Sequence, residues 1–294
     1  MTEPTPKLSG MYRFTSIARP IDPAYLSNRA LLIVLPLLML LNAGLASIYD
    51  IGSAPLSAAL SGALVAFAAW ALTRELVPDY NAAAFVALAL AWVANVALGT
   101  TQVLLVFVAL LLVRLVNRST GPRWRVLDTL GVFGFCVWAA LNTQQPLILV
   151  AAAAAFTLDA TLKNPLRRHY FAAAACIAAF TWLLLGDMRL LASDLAGQDW
   201  AVIAAFAGGV ILVVATSLEP VSYCDTSPDR LDRVRVNAGL IIGSLAAVQA
   251  LLTNGGAAWL ETPIWVCMAA VLFAFAARKA NRRAGATQST TTIE

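Results

Sequence analysis

Long runs without a single charge decide most of what this chain can fold into. Residues 30–49, 51–73, 170–186, 200–218 and 236–253 contain no Asp, Glu, Lys or Arg, and each is close to the roughly 17 to 25 residues that a helix needs to cross a bilayer. Hydrocarbon offers no water to the backbone, so such runs take the one local form that satisfies its own N–H and C=O groups, the α-helix. Composition agrees. Of 294 residues, 60% are hydrophobic and 12% charged, with a mean hydropathy of +0.77, whereas a soluble domain carries about a quarter charged residues.

Two further uncharged stretches, 80–113 and 129–158, are too long for one span. Gly99-Thr100-Thr101 and Asn142-Thr143-Gln144-Gln145-Pro146 interrupt them near their midpoints, and Pro146 can open a helix but not continue one. The last apolar run is broken in the same way at Asn254-Gly255-Gly256. Splitting each stretch predicts an all-α, polytopic integral membrane helical bundle of about ten transmembrane helices arranged as five hairpins, with the membrane domain over 30–277.

Charge gives an independent check on that count. With ten spans, nineteen of the twenty Lys and Arg residues fall on one side, leaving only Arg189 on the other. Cationic loops resist translocation and mark the cytoplasmic face. The expectation is therefore a plasma membrane protein, in a bacterium the inner membrane, with both termini cytoplasmic. The first apolar run is expected to be retained as a helix rather than removed as a leader. It follows an interfacial arm, residues 1–29, in which Tyr12, Phe14 and Tyr25 are interspersed with Arg13, Arg19 and Pro20. Residues 278–294 lack apolar periodicity and are expected to be a disordered cytoplasmic tail.

The same distribution limits the partners. A net charge of +4 divided among short juxtamembrane loops is what orientation alone demands, so membrane lipids rather than nucleic acid are the expected partners, and no soluble partner is evident. Cys136, Cys176, Cys224 and Cys267 read as small apolar fillers, and His169 is the only histidine. Zinc and haem therefore lack ligands, and Mg²⁺ on carboxylates is the metal the chain could hold. The spans carry no ionisable group near their centres, which argues against a proton- or sodium-coupled pump. Asn42, Asn95, Gln102, Asn142 and Gln249 remain at depth and are expected to join helices through hydrogen bonds.

Each of the four internal cytoplasmic loops carries a proline, Pro78, Pro122, Pro165 and Pro228, and the first two steps are 44 and 43 residues. A copied hairpin unit would give this spacing, as would a constant bilayer thickness. Between Asp187 and Asp199, the helical spacing of Leu190, Leu191 and Leu195 suggests a short helix on the outer interface.

Candidate chemistry lies in the basic and acidic loops. Glu75 and Asp79 flank the Pro78 turn beside Arg74, and Asp79 or Asn81 is placed to cap the third helix. Arg114, Arg118, Arg123 and Arg125 surround the next loop, where Asp128 is expected to neutralise an arginine of the facing helix. Asp159 and Lys163 are four apart and read as an intrahelical pair, followed by Asn164, Arg167 and Arg168. Asp225, Asp229 and Asp232 accompany Arg230 in the densest cluster, with Asp229 expected in the first residues of the next helix. Mixed carboxylates and arginines on one face suit phosphate or diphosphate esters, the acids holding Mg²⁺ and the bases neutralising phosphate oxygens.

On that basis the candidate catalytic residues are Glu75, Asp79, Asp159 and Asp225. Arg74, Arg118, Arg123, Asn164, Arg167 and Arg230 are the candidate substrate-binding residues, and Asp225 with Asp229 the candidate Mg²⁺ ligands. In placement, the two acidic loops resemble those of the intramembrane aromatic prenyltransferases, which implies Mg-diphosphate chemistry. The chain departs from that family's Asn-Asp-x-x-Asp-x-x-x-Asp run, having only Glu75 and Asp79 there, and its second loop has a different spacing. Three functions fit the sequence: an enzyme or binding protein for a lipidic or phosphate-bearing molecule at the cytoplasmic leaflet, an uncoupled carrier or exporter, and an assembly subunit of a membrane complex.

Overall fold

The computed structural model describes residues 15–49, 54–99, 102–121, 123–192, 194–217, 219–255 and 262–291, with side chains to Arg278. Lys7, Tyr12, Arg13, Phe14 and Pro122 lie outside the described residues. The elements are α1 Leu26–Tyr49, α2 Pro55–Leu76, α3 Asn81–Leu98, α4 Val103–Asn117, α5 Val126–Thr143, α6 Leu147–Thr161, α7 His169–Leu185, α8 Gly197–Ala215, α9 Arg233–Asn254 and α10 Thr262–Thr291. Both long stretches break where the sequence places the breaks. Gly99 adopts φ 81° after α3, and Gln144 adopts φ 56° between α5 and α6.

Six helices, α1, α2, α3, α5, α8 and α9, are long and apolar enough to cross a membrane, and α4, α6, α7 and the Thr262–Arg278 part of α10 are shorter apolar segments. The short ones include the middle of the molecule. At 15 residues, α4 rises only about 22 Å, less than the roughly 30 Å hydrocarbon layer. It is shielded by α2, α6 and α9, and its Leu105, Val106, Val108, Ala109, Leu112 and Val113 are buried. Of the five expected hairpins, α1 packs on α2, α5 on α6 and α9 on α10, whereas α3 with α4 and α7 with α8 are not among the packed pairs. The central position of α4 explains this departure from five side-by-side hairpins: α3 stays outside against α2 and α10 while α4 turns inward to α9.

Small residues allow these close approaches. Asn117 of α4 fills the space over Gly239 of α9, Asn42 of α1 lies over Gly62 of α2, and Leu76 lies over Gly243. Two of the polar groups at depth join elements as expected, Asn42 Nδ2 donating to the Ala58 carbonyl at 2.9 Å and Gln249 Nε2 to Gln145 Oε1 at 3.2 Å, whereas Asn142 Nδ2 donates to the Trp138 carbonyl within α5 at 2.9 Å.

Two local expectations are corrected. The described residues from Asp187 to Ala196 form turns rather than a helix, because Ala192 N donates to the Leu252 carbonyl at 2.8 Å and ties the segment to the end of α9. The backbone past Arg278 continues as helix to Thr291; its Ala- and Arg-rich start consists of strong helix formers and extends a helix already nucleated by α10.

Candidate functional site

The four loops that follow α2, α4, α6 and α8 meet at one end of the bundle, and residues 15–25 lie across them. The loop 222–231 doubles back on itself, with Cys224 N donating to Asp229 O at 2.9 Å and Leu231 N to Ser222 O at 3.0 Å. It docks on the loop after α4 through Asp225 N to Ser119 O at 3.1 Å and Thr226 Oγ1 to Thr120 O at 2.7 Å. Gly121, at φ 92°, makes this possible, since a Cβ there would sit 2.7 Å from Thr226 Oγ1.

Beneath the loops is a buried ion network centred on Asp159, which is fully buried. Arg118 reaches it with both arms of its fork, Nε to Oδ1 at 2.7 Å and a terminal nitrogen to Oδ2 at 2.8 Å. Arg235 donates to Oδ1 at 2.9 Å, and His169 Nδ1 lies 2.8 Å from Oδ2. The second positive charge is balanced by carbonyl groups at helix ends: Val116 and Lys163 accept from Arg235 at 2.7 and 2.5 Å, and Asn164 from Arg118 at 2.7 Å. Arg118 supplies this fork from a left-handed C-cap position, φ 51°. The intrahelical pairing of Asp159 with Lys163 is thus replaced, because α6 ends at Thr161 and Lys163 contributes its carbonyl instead. A site so fully occupied by its own groups is a brace between α4, α6, α7 and α9.

Asp79 is likewise committed. It caps neither helix, the N-cap of α3 being Tyr80 without a side-chain bond. Its oxygens accept from Ser222 N at 3.0 Å, Ser222 Oγ at 2.8 Å and Val221 N at 3.1 Å, pinning the last internal loop. Asp128 accepts from Thr15 Oγ1 and Ser16 N, each at 2.8 Å, and from Ser16 Oγ at 2.5 Å, so it holds the arm rather than an arginine. Asp232 is the N-cap of α9, accepting from Arg235 N at 3.0 Å, which leaves Asp229 in the loop, bonded to Ser227 Oγ at 3.0 Å.

Above the brace lies a polar pocket of about 470 Å³, lined among others by Arg19, Arg74, Glu75, Arg114, Ser119 and Asp225. Glu75 is buried and accepts from Arg114 Nε at 2.9 Å, with Arg19 at 3.4 Å. Arg19 also bonds Asp225 at 2.6 Å, and Arg114 reaches the Ile17 carbonyl at 3.3 Å. Arg74 differs from its neighbours. It donates to Asn28 Oδ1 at 2.9 Å, its guanidinium lies 4.8 Å over the Trp70 ring, and among the described residues it forms no ion pair. Cys224 also lines the pocket, but burial pushes its thiol above the ordinary value, which disfavours the reactive thiolate.

Of the candidates, the structure brings Arg74, Glu75 and Asp225 together in this pocket. Arg118 and Asp159 meet below it, with Asn164 lending its carbonyl. Arg123 and Arg167 are exposed, and exposed Arg230 lies over the Tyr223 ring. Among the described residues, no three His, Cys, Asp or Glu side chains gather as around a metal ion. Of the pair suggested for Mg²⁺, Asp225 is bound to Arg19 and Asp229 accepts from Ser227 Oγ. The sequence reading left Arg19, Asn28 and Trp70 out of the site. The i, i+4 spacing of Trp70 and Arg74 was the available signal; nothing local marks Arg19 or Asn28. No protein-family model, curated protein or solved structure matches this chain.

Proposed function

We propose that this chain is a multi-pass protein of the plasma membrane, with its ten helices in the bilayer and both termini cytoplasmic, which binds the phosphate-bearing end of a lipid-derived molecule in the polar pocket. The observation that carries this reading is Arg74. Its guanidinium is held in place by Asn28 and Trp70, and although Glu75 and Asp225 act on it through the field, no carboxylate among the described residues forms an ion pair with it. A planar fork fixed at the edge of an apolar bundle is well suited to phosphate oxygens. Glu75 and Asp225 already bind Arg19 and Arg114, so they shape the field around Arg74 rather than serve as free bases, which favours recognition over catalysis. The side chains of α4 fill the middle of the bundle, which supports binding at one end rather than passage through it.

Calorimetry on the purified full chain in phosphatidylcholine nanodiscs, titrated with inorganic pyrophosphate and separately doped with phosphatidic acid, tests the proposal. Losing a charge-assisted hydrogen bond of about 1.5 to 3 kcal/mol makes Arg74→Gln weaken binding roughly ten- to hundredfold, while exposed Arg123→Gln leaves it unchanged. Failure of the unaltered chain to take up either probe, or undiminished binding by Arg74→Gln, overturns it.

A further inference from the structure

On the other side of the Pro78 turn lies a second cavity of about 260 Å³. Its wall is apolar, formed by Leu76, Val213, Val236, Leu240, Val271 and Phe275, and its polar lining includes Arg233, Arg278, Ser217, Asn237 and Asp79. We propose that this cavity binds a single-chain anionic amphiphile, one alkyl chain ending in a carboxylate or a phosphate.

Lining and charge select this ligand. The apolar wall suits an alkyl chain, and a cavity of about 260 Å³ is small beside the roughly 300 to 1,000 Å³ of ordinary ligand pockets, which favours one chain over two. The cationic side chains exceed the anionic ones. Among the described residues Arg233 is bonded only through Nε, to Ser217 Oγ at 3.0 Å, and that same oxygen accepts from Asn237 Nδ2 at 2.8 Å. Arg278 lies 3.5 Å from Asp79, but Asp79 already takes the N–H groups of Val221 and Ser222 and the Ser222 hydroxyl. Two guanidinium groups against one saturated carboxylate leave the cavity positive. One side is closed by α8, whose main packing among the described residues is on α9 and α10 and which buries only Val210 and Val213, so a chain can enter laterally from the membrane. The site is separate from the polar pocket, whose anion is held by Arg74.

The test uses the full chain in phosphatidylcholine nanodiscs and native mass spectrometry with three probes: laurate, lauroyl lysophosphatidylglycerol and lauroyl lysophosphatidylcholine. One equivalent of laurate or of the anionic lysolipid is expected, at least tenfold tighter than the zwitterionic one. Whichever of the two binds identifies the head group as carboxylate or phosphate. The double variant Arg233→Gln, Arg278→Gln is expected to lose that preference while still accepting a chain, and Ala274→Trp, which fills the cavity, to lose both. If the tryptophan chain does not fold, the glutamine double variant decides alone. Equal uptake of the two lysolipids by the unaltered chain, or a preference unchanged in the double variant, overturns the proposal. Pyrophosphate binding at Arg74 is measured in the same samples, so failure of one site is distinguishable from failure of the other.

Discussion

Asp159 shows at the level of one residue why a charged loop residue need not belong to a site. Its carboxylate is fully buried and answers Arg118, Arg235 and His169 together. Removing one partner of a buried ion pair leaves the others uncompensated, a loss of about 3 to 5 kcal/mol. Asp159→Ala is accordingly expected to lower the midpoint of thermal unfolding in detergent and the yield of folded protein. In whatever fraction folds, pyrophosphate affinity is expected to stay as in the unaltered chain. An Asp159→Ala protein that melts normally but no longer binds the anion would return Asp159 to the site. The sequence showed Asp159 as a charge at a helix end, but its partners lie 41 residues back and 76 ahead. Lys163, the partner that local spacing offered, is carried past the helix end. Arg74 was legible in kind for the opposite reason: Asn28 apart, its placement rests on Trp70, one turn away on the same helix.

At the scale of the helices, close packing rests on small residues at specific crossings. A Cβ at Gly239 would run into the Asn117 side chain, and that side chain is fixed by its own bond to the Glu75 carbonyl at 2.7 Å. Overpacking of this kind costs about 1 to 3 kcal/mol, so Gly239→Val is expected to lower the unfolding midpoint clearly. Gly208 of α8 has open space where a Cβ would go. There Gly208→Ala is expected to be neutral or to stabilise by up to about 1 kcal/mol through helix propensity. Equal melting of the two variants would mean that α4 and α9 do not cross as described. The boundaries of these helices were readable because Gly99, Gln144 and Pro146 act on their own neighbours. Their partners were not, since an alanine-rich apolar face such as that of α2 fits several neighbours equally well until the whole bundle is assembled.

For the whole molecule, the proposed orientation places Arg167 in the cytoplasm and Arg189 outside. In a chain whose four cysteines have been replaced, a cysteine at 189 is expected to react with an impermeant thiol reagent added to intact cells. One at 167 is expected to react only after the membrane is opened, and labelling of 167 from outside would overturn the proposed orientation. The sequence by itself determined that the chain is helical, that it is apolar enough for a membrane, and where its helices break. These properties follow from side-chain hydration and backbone hydrogen bonding, both set within a few residues. Tertiary structure alone decided that α4 occupies the centre and α3 stands apart from it. It also decided which arginines are consumed in the brace and that an arm residue, Arg19, closes a network with Glu75 and Asp225. The physical reason is that charges in short loops have many prospective partners at similar distances along the chain. Only the packing of ten helices fixes which are brought within reach and which guanidinium, that of Arg74, forms no ion pair among the described residues.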